Sequence, residues 1–385
     1  MPQWAMRVAM LFGQNRPARP EEWHKAAATV ADVVDVVAVR ELTLPAVRGL
    51  PYAGRDPERP HHYQVAVPHG GAMARRVTAG RVEGVLRHEA AECGRFDLIH
   101  GHVPGAEGLL PRLARTAGLP YVLSEDDPSL LGHPTRPLPG LPARRSRARI
   151  YREAAAVLAV SDALLLRLGE LRLPGRHRLV PHPVGPEALP PVPARTRISQ
   201  DPVRVAAAGR FEAHEGWEVL VRAFAGARVK DPRLRLDVIA EGSAELPGDV
   251  RELIRTCGVA HFVTVRRARG RAEALHTVAH ADLFLVASHV ESFCVRALDA
   301  LCCGTPVVGT RTGALPELVG HDGGVLVPPG DAPALGRALV EAAARLSARR
   351  PAALADRTRR RYGTSAVGAR LAVVYAEASS GRGRA

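Results

Sequence analysis

Short apolar runs recur through the first half of the chain at Val8 to Phe12, Val33 to Val39, Leu98 to Ile99, Tyr121 to Leu123 and Val157 to Val160, with helical or loop-like stretches between them. Such alternation predicts an α/β domain with a largely parallel sheet. A proline-rich, weakly apolar stretch, GPEALPPVPARTRISQDP, then reads as a linker. A second series of runs follows at Val203 to Ala208, Leu234 to Ile239, His261 to Val265, Leu283 to Val286, Pro306 to Gly309 and Val325 to Val327. The pattern predicts two Rossmann-like halves, 1–185 and 202–363, joined by 186–201. Ligands of such sheets bind outside the carboxyl ends of the strands, so the site is expected in a cleft between the halves. Past residue 363, Val367, Leu371, Val374 and Tyr375 recur at helical spacing and predict a helix within 364–385.

The stretch 281–331 is the most informative. Leu283 to Ala287 reads as a buried strand, Ser288 to Ser292 as a turn, and Phe293 to Cys303 as a helix closed by Gly304. Glu291 and Asp299 stand eight positions apart around the start of that helix, and eight helical residues rise about 12 Å. One carboxylate is then expected at the helix mouth and the other two turns deeper. Between them lie the first-turn N–H groups, from Ser292 through Phe293 and Cys294 to Val295, which suit phosphate. A hexose at one end, a ribose at the other and a diphosphate between them is the ligand that fits this layout. Without the strand, turn and helix around them, the two acids would read as ordinary helix-surface carboxylates.

Composition sets the outer bounds. At 385 residues the chain has room for two domains of fewer than about 200 residues each. The formal net charge is +14, yet only Lys25 and Lys230 are lysines; the arginine excess goes with abundant alanine, glycine and proline, as in a GC-rich bacterial coding bias. Such charge suits nucleic acid, an anionic membrane or a phosphate-bearing substrate. Aromatic residues make up 4% and no nucleic-acid-binding motif stands out, so nucleic acid is not expected. Arginines cluster at Arg144, Arg145, Arg147, Arg149 and Arg152, and at 357–361. They read as solvated helix faces, with docking to an anionic acceptor or a lipid headgroup at a membrane surface as the alternative for the first. Cys93, Cys257, Cys294, Cys302 and Cys303 are odd in number and lack C-x-x-C spacing, which argues for a reducing compartment. Val8 to Phe12 is too short for a signal sequence or a membrane span, so a soluble, cytoplasmic protein is expected. Histidines are unpatterned and no D-x-D closes a strand, so neither metal nor cofactor is expected.

The segment E-S-F-C-V-R-A-L-D, followed by C-G-T-P-V-V-G-T-R-T-G-A-L-P-E-L-V, resembles the donor-site signature of retaining GT-B glycosyltransferases. The closest resemblance is to glycosyltransferase family 4, of the group 1 type, built around an E-x7-E motif. The likeness implies a GT-B fold, α/β with two Rossmann-like domains, and a C-terminal helix that returns to the first domain. It implies a metal-independent hexosyltransferase whose nucleotide-sugar donor, most commonly a UDP-sugar in the family, gives its hexose to a hydroxyl of a small-molecule or lipid-linked acceptor with retention of configuration. By resemblance Glu291 holds the donor hexose, and Asp299, one methylene shorter than the family's second glutamate, holds the ribose. Residues 206–225 resemble the family's G-R-x4-K-G turn, whose arginine and lysine neutralise the donor diphosphate; Gly209 and Arg210 match it. Gly242 in AEGSAEL matches a loop that borders the nucleotide base.

The chain departs from the family where the lysine belongs, since that position is Glu215. A carboxylate there must point away, pair with an arginine, or signal altered donor handling, and His214, Arg266 and Arg267 are candidates for the missing charge. FDLIHGHVPGAEG resembles the family's D-x-x-H-x-H segment, which puts His100 and His102 near the acceptor or in a structural turn. In LPYVLSEDDPS the family's loop histidine gives way to Glu125, Asp126 and Asp127. Glu125 and Asp126 are candidates for catalysis and Asp127 for the acceptor side, and the triplet equally suits a turn and helix N-cap. The first loop, FGQNRPARP, lacks the family's glycine pair and offers Gln14, Asn15 and Arg16 to an acceptor instead. Together these losses admit a non-catalytic partner or regulator of the same fold. A nucleotide-sugar epimerase is a third reading, against which the order of the E-x7-D segment weighs.

Overall fold

The computed structural model describes residues 6–12, 20–31, 33–42, 53–56, 59–68, 71–103, 108–132, 141–185, 189–193, 201–241, 245–348 and 350–380. The chain divides into two compact units, one from Met1–Leu130, Leu138–Pro183 and Tyr362–Ala385, the other from Leu131–Pro137 and Val184–Arg361.

In the first unit the chain runs β1 (Arg7–Phe12), α1 (Pro20–Ala28), β2 (Val33–Leu42), β3 (Ala53–Asp56), β4 (Arg59–Pro68), α2 (Gly71–Cys93) and β5 (Leu98–His102). It continues through α3 (Leu110–Ala117), β6 (Tyr121–Glu125), α4 (Leu141–Glu153), β7 (Ala156–Ala159), α5 (Asp162–Glu170) and β8 (His177–Leu179). The strands order as β3-β4-β2-β1-β5-β6-β7-β8, and all pairs are parallel except β3 with β4. Val8, Ala9, Met10 and Leu11 are all fully buried, as the central strand of a sheet covered on both faces requires. Met10 stands in register with Val36 on one side and His100 on the other. The pair β3 and β4 had no apolar signature, because RPHHYQVAVP opens with polar and aromatic residues near the sheet edge.

The second unit comprises β9 (Val203–Gly209), α6 (Trp217–Lys230), β10 (Leu234–Ala240), α7 (Gly248–Thr256), β11 (Val263–Arg267), α8 (Arg271–His280) and β12 (Leu283–Val286). After these come α9 (Val295–Cys302), β13 (Val307–Thr310), α10 (Leu315–Val319), β14 (Gly324–Val327), α11 (Ala332–Ala344) and α12 (Pro351–Tyr362). Its sheet is wholly parallel with order β11-β10-β9-β12-β13-β14. Strand order reverses between β9 and β12, and the carboxyl ends of that pair are where a doubly wound sheet binds its ligand. Trp217, Leu220 and Phe224 from α6 pack with Leu236, Leu285, Leu335 and Leu339 in the core. The strand expected from His261 begins two residues later, because Ala260–Phe262 forms a single 3-10 turn.

The last helix, α13 (Thr364–Ser380), belongs to the first unit. Val367, Leu371, Val374 and Tyr375 enter the same core as Val8, Met10 and Trp23. A Cβ on Gly368 would lie 1.9 Å from Thr29 Oγ1 and 2.6 Å from Ala26 O, so only glycine lets α13 cross α1 this closely. No described helix is long and apolar enough to cross a membrane.

Candidate active site

The turn after β12 is held from behind by the chain leaving β13. Thr310 Oγ1 donates to Ser288 O at 2.6 Å and Thr312 Oγ1 to His289 O at 3.3 Å. Gly313, with φ +49, passes so close to Glu291 that a side chain there would collide with its backbone. The T-R-T-G run is thus the brace of the Glu291 turn. Ser288 Oγ donates to Glu291 Oε1 at 2.9 Å and orients a carboxylate that is 9% exposed. Cys294 then adopts a left-handed backbone, φ 56, which costs about 1 kcal/mol for a non-glycine residue and interrupts helical geometry. Burial, followed by the charge of Glu291, pushes the Cys294 thiol well above its usual range, so it stays neutral.

Because of Cys294, α9 starts at Val295 rather than Phe293, which corrects the expected spacing. Asp299 is the fifth residue of the helix and lies about one turn deep, not two. It is buried, and Arg271 Nη2 at the start of α8 donates to its Oδ1 at 2.9 Å.

Across the strand-order reversal, β9 ends at Gly209 and the chain bends through Arg210 and Phe211, the latter with φ 63. The Arg210 side chain is exposed and its guanidinium has no partner among the described residues. Glu215 turns inward. Its Oε2 accepts from Arg210 N at 3.0 Å, Glu212 N at 3.1 Å and Trp217 Nε1 at 2.9 Å, while Oε1 meets Arg296 Nη1 at 2.5 Å. Of the three alternatives left open for Glu215, pairing with an arginine is the one observed. Of the cations considered for the missing charge, His214 faces Glu212 at 3.4 Å, Arg266 reaches Asp237 at 3.2 Å, and Arg267 is exposed at the end of β11. Arg296 went unnoticed in the sequence, although a cation in a helix's first turn opposes the helix dipole and calls for carboxylate partners.

In the first unit, the carboxyl ends of β5 and β6 carry the histidines and the acidic triplet. Glu125 is fully buried; it accepts from Asp127 N at 2.8 Å and from Tyr151 Oη, with Arg147 Nη1 at 4.0 Å. Burial raises its pKa to about 7, partly offset by Arg147 and Tyr151. His182 Nε2 lies 2.9 Å from Asp126 Oδ2, and Trp23 Nε1 donates to His182 Nδ1 at 3.2 Å. An acceptor at Nδ1 puts the His182 proton on Nε2, facing the carboxylate. Asp127 meets Arg147 at 2.6 Å and accepts from Ser129 N at 2.9 Å. Burial opposes ionisation of Asp127, but the Arg147 hydrogen bond and charge outweigh it and hold the carboxyl below its usual range. The triplet therefore forms the turn into the 3-10 segment Pro128–Leu131.

Arg147 is corrected by this arrangement: expected on a solvated or lipid-docking face, its side chain is 17% exposed and turned to Asp127, with Glu125 4.0 Å away. Arg145 and Arg149 remain on the exposed face of α4, and Arg144 is half-buried. His100 is buried between Tyr375 Oη and Ser124 Oγ, each at 2.8 Å, and burial lowers its pKa to about 3. His102 stacks between Phe12 and His100, at centroid distances of 4.1 and 4.3 Å. Burial, then His100 and His182, push its pKa well down. Gln14, Asn15, Arg16 and Gly242 lie outside the described residues. Among the described residues, no three histidine, cysteine, aspartate or glutamate side chains are grouped as a metal site would need.

Residues 202–345 match the model of the glycosyl transferases group 1, and residues 34–188 that of glycosyltransferase family 4. The chain is similar to the D-inositol 3-phosphate glycosyltransferase of Saccharomonospora viridis, 32% identical over 270 residues that cover 64% of this chain and 62% of that protein. It thus spans less than two thirds of that relative. With the protein of the same description from Thermobispora bispora it is 30% identical over 358 residues, 80% of this chain and 81% of the relative. In structure it resembles Anabaena HepE, solved with UDP and glucose, with a TM-score of 0.72 and 17% identity over 96% of this chain and 99% of that one. That likeness shows the GT-B fold, α/β with two Rossmann-like domains.

Proposed function

The chain belongs to the group 1, family 4 glycosyltransferases, and from that premise we propose that it is a metal-independent, retaining hexosyltransferase. It moves a hexose from a nucleoside diphosphate, UDP before GDP or dTDP, to an acceptor hydroxyl. The Glu291 turn is the observation that carries this reading: a buried carboxylate, oriented by Ser288 and braced by Thr310, Thr312 and Gly313, stands at the carboxyl end of β12 beside the strand-order reversal. In this reading Glu291 accepts hydrogen bonds from the donor hexose and Asp299 from the ribose. Negative charge grows on the diphosphate as its bond to the sugar breaks, and fixed donors aimed at that charge lower the barrier. Arg210 and the first-turn backbone of α9 supply such donors, and the acceptor hydroxyl attacks the face the diphosphate leaves, giving its proton to the departing phosphate oxygen as the sugar–phosphate bond breaks.

The acceptor falls to the first unit. Glu125 and Asp126, both already engaged, act there as supports through Tyr151 and His182 rather than as groups in contact with it. The relatives' description makes a phosphorylated cyclitol the first acceptor to try. A lipid-linked acceptor is the second class, with the exposed Arg145 on α4, and Arg149 beside its partner Glu153, facing an anionic surface. A cytoplasmic location belongs to the same reading, supported by the five cysteines that form no disulfide.

Thermal-shift screening of UDP-, GDP- and dTDP-sugars, followed by nucleoside diphosphate release, tests the proposal. One donor is expected to stabilise the protein, and Glu291→Gln and Asp299→Ala each to cut its turnover at least about tenfold, the cost of about 1.5 kcal/mol in lost charge-assisted hydrogen bonding. Wild-type kinetics in both folded variants would overturn it.

A further inference from the structure

Resting on the donor reading above, we infer that Arg296 is a diphosphate-binding residue of this chain, and that Glu215 is its anchor. A leaving nucleoside diphosphate carries more than one negative charge, and Arg210 is a single exposed cation. Arg296 stands on the first turn of α9, directly beside the end of β9: its Nη1 lies 3.3 Å from Ala208 O, 2.5 Å from Glu215 Oε1 and 3.8 Å from Glu241 Oε2. Burial alone would lower its pKa, but Glu215, Glu241 and Glu291 outweigh that and keep the guanidinium charged.

The spare capacity of the pair is unequal. A guanidinium has five N–H donors in a fixed fork. Among the described residues every side-chain hydrogen bond of Arg296 runs through Nη1, so Nη2 and Nε take no partner there, and the side chain is 20% exposed. Glu215, 6% exposed, has spent its oxygens on three N–H groups and Arg296. One member of the pair can thus still bind a ligand and the other cannot. One of those three N–H groups belongs to Arg210, so a single carboxylate fixes the backbone of one arginine and the guanidinium of another. Both arginines then flank the strand-order reversal, where an anion is also met by the N-terminus of α9.

The test breaks the pair from either side and reads phosphate recognition separately from nucleoside recognition. Wild type, Arg296→Gln and Glu215→Gln are titrated calorimetrically with UDP, GDP and dTDP and with the corresponding nucleosides. The inference expects Arg296→Gln to bind the preferred diphosphate at least about tenfold more weakly, as loss of a charge-assisted bond to phosphate implies, with nucleoside binding unchanged. Glu215→Gln, which keeps one acceptor oxygen but puts a donor in place of the other, is expected to weaken diphosphate binding by less than Arg296→Gln does. Equal weakening in both variants would reveal a purely structural pair, and unchanged binding in Arg296→Gln would remove the residue from the site; either overturns the inference while the donor reading stands. Failure of the wild type to bind any of the three diphosphates would overturn both. Should Arg296→Gln not fold, the double variant with Glu215→Gln leaves no lone buried charge, and its diphosphate affinity is compared with that of Glu215→Gln alone.

Discussion

A Cβ built on Gly313 would lie 1.5 Å from the carbonyl oxygen of Glu291. The backbone after β13 and the turn after β12 are therefore in contact with no room for a side chain, and the position of the Glu291 carboxylate depends on that contact. Gly313→Ala must also hold an alanine at φ +49, a cost of about 1 kcal/mol before any displacement. The variant is expected to fold with a lowered thermal midpoint and to bind the donor at least about tenfold more weakly. Calorimetry at matched temperature checks this, and wild-type affinity would show that Ser288, Thr310 and Thr312 hold Glu291 without the Gly313 contact.

Arg271 and Asp299 make a different kind of prediction, because their contact is made before and after the reaction alike. Arg271→Gln frees the Asp299 carboxylate from the ion pair that orients it. A loss of uniform binding raises KM and leaves kcat in place. The expected result is a KM for the donor raised about tenfold with kcat within about twofold; a fall in kcat alone would argue that Arg271 serves the reacting centre.

Glu125 gives the fold a pH dependence of definite sign. Its carboxyl binds a proton up to about pH 7 in the folded protein, against 4.5 ordinarily. Between those values the folded state holds a proton the unfolded state has released, so this group's contribution to stability falls as pH rises through the window, by about 3 kcal/mol in all. Glu125→Gln lacks the titration. Urea unfolding of the two proteins should show the variant gaining on wild type from pH 5 to pH 8; a constant difference would place the Glu125 pKa near its ordinary value.

Tyr375→Phe removes the hydroxyl that meets His100 Nδ1 at 2.8 Å and leaves a fully buried ring nitrogen without that bond. An unsatisfied buried polar group costs about 1–3 kcal/mol. Chemical denaturation is expected to show a loss of that size in the transition of the first unit. No change would mean that α13 is held by its apolar side chains alone.

Legibility followed the range of the interactions. Leu283 to Val286 is a strand both in pattern and in structure, because a short apolar run between Asp282 and Ser288 is buried on both faces of a parallel sheet. β3 and β4 were missed, since a partly polar edge pair has no such run. Glu291 and Asp299 stood out as candidates from a contiguous motif. Arg296, inside the same motif, did not, because its partner Glu215 is 81 positions away and only the fold joins them. The left-handed Cys294, which shortened the helix, had no cue either, since glycine or asparagine would mark such a position and cysteine does not.

The placement of α13 imposes an order on synthesis. The second unit is encoded almost without interruption from Val184 to Arg361, whereas the first must wait for a helix that begins about 180 residues after Pro183 before its core is complete. On the ribosome the usual sequence is thereby reversed: the later-encoded unit can be finished first, and the earlier-encoded one stays open at the face of α1 until Val367, Leu371 and Tyr375 have emerged to cover it.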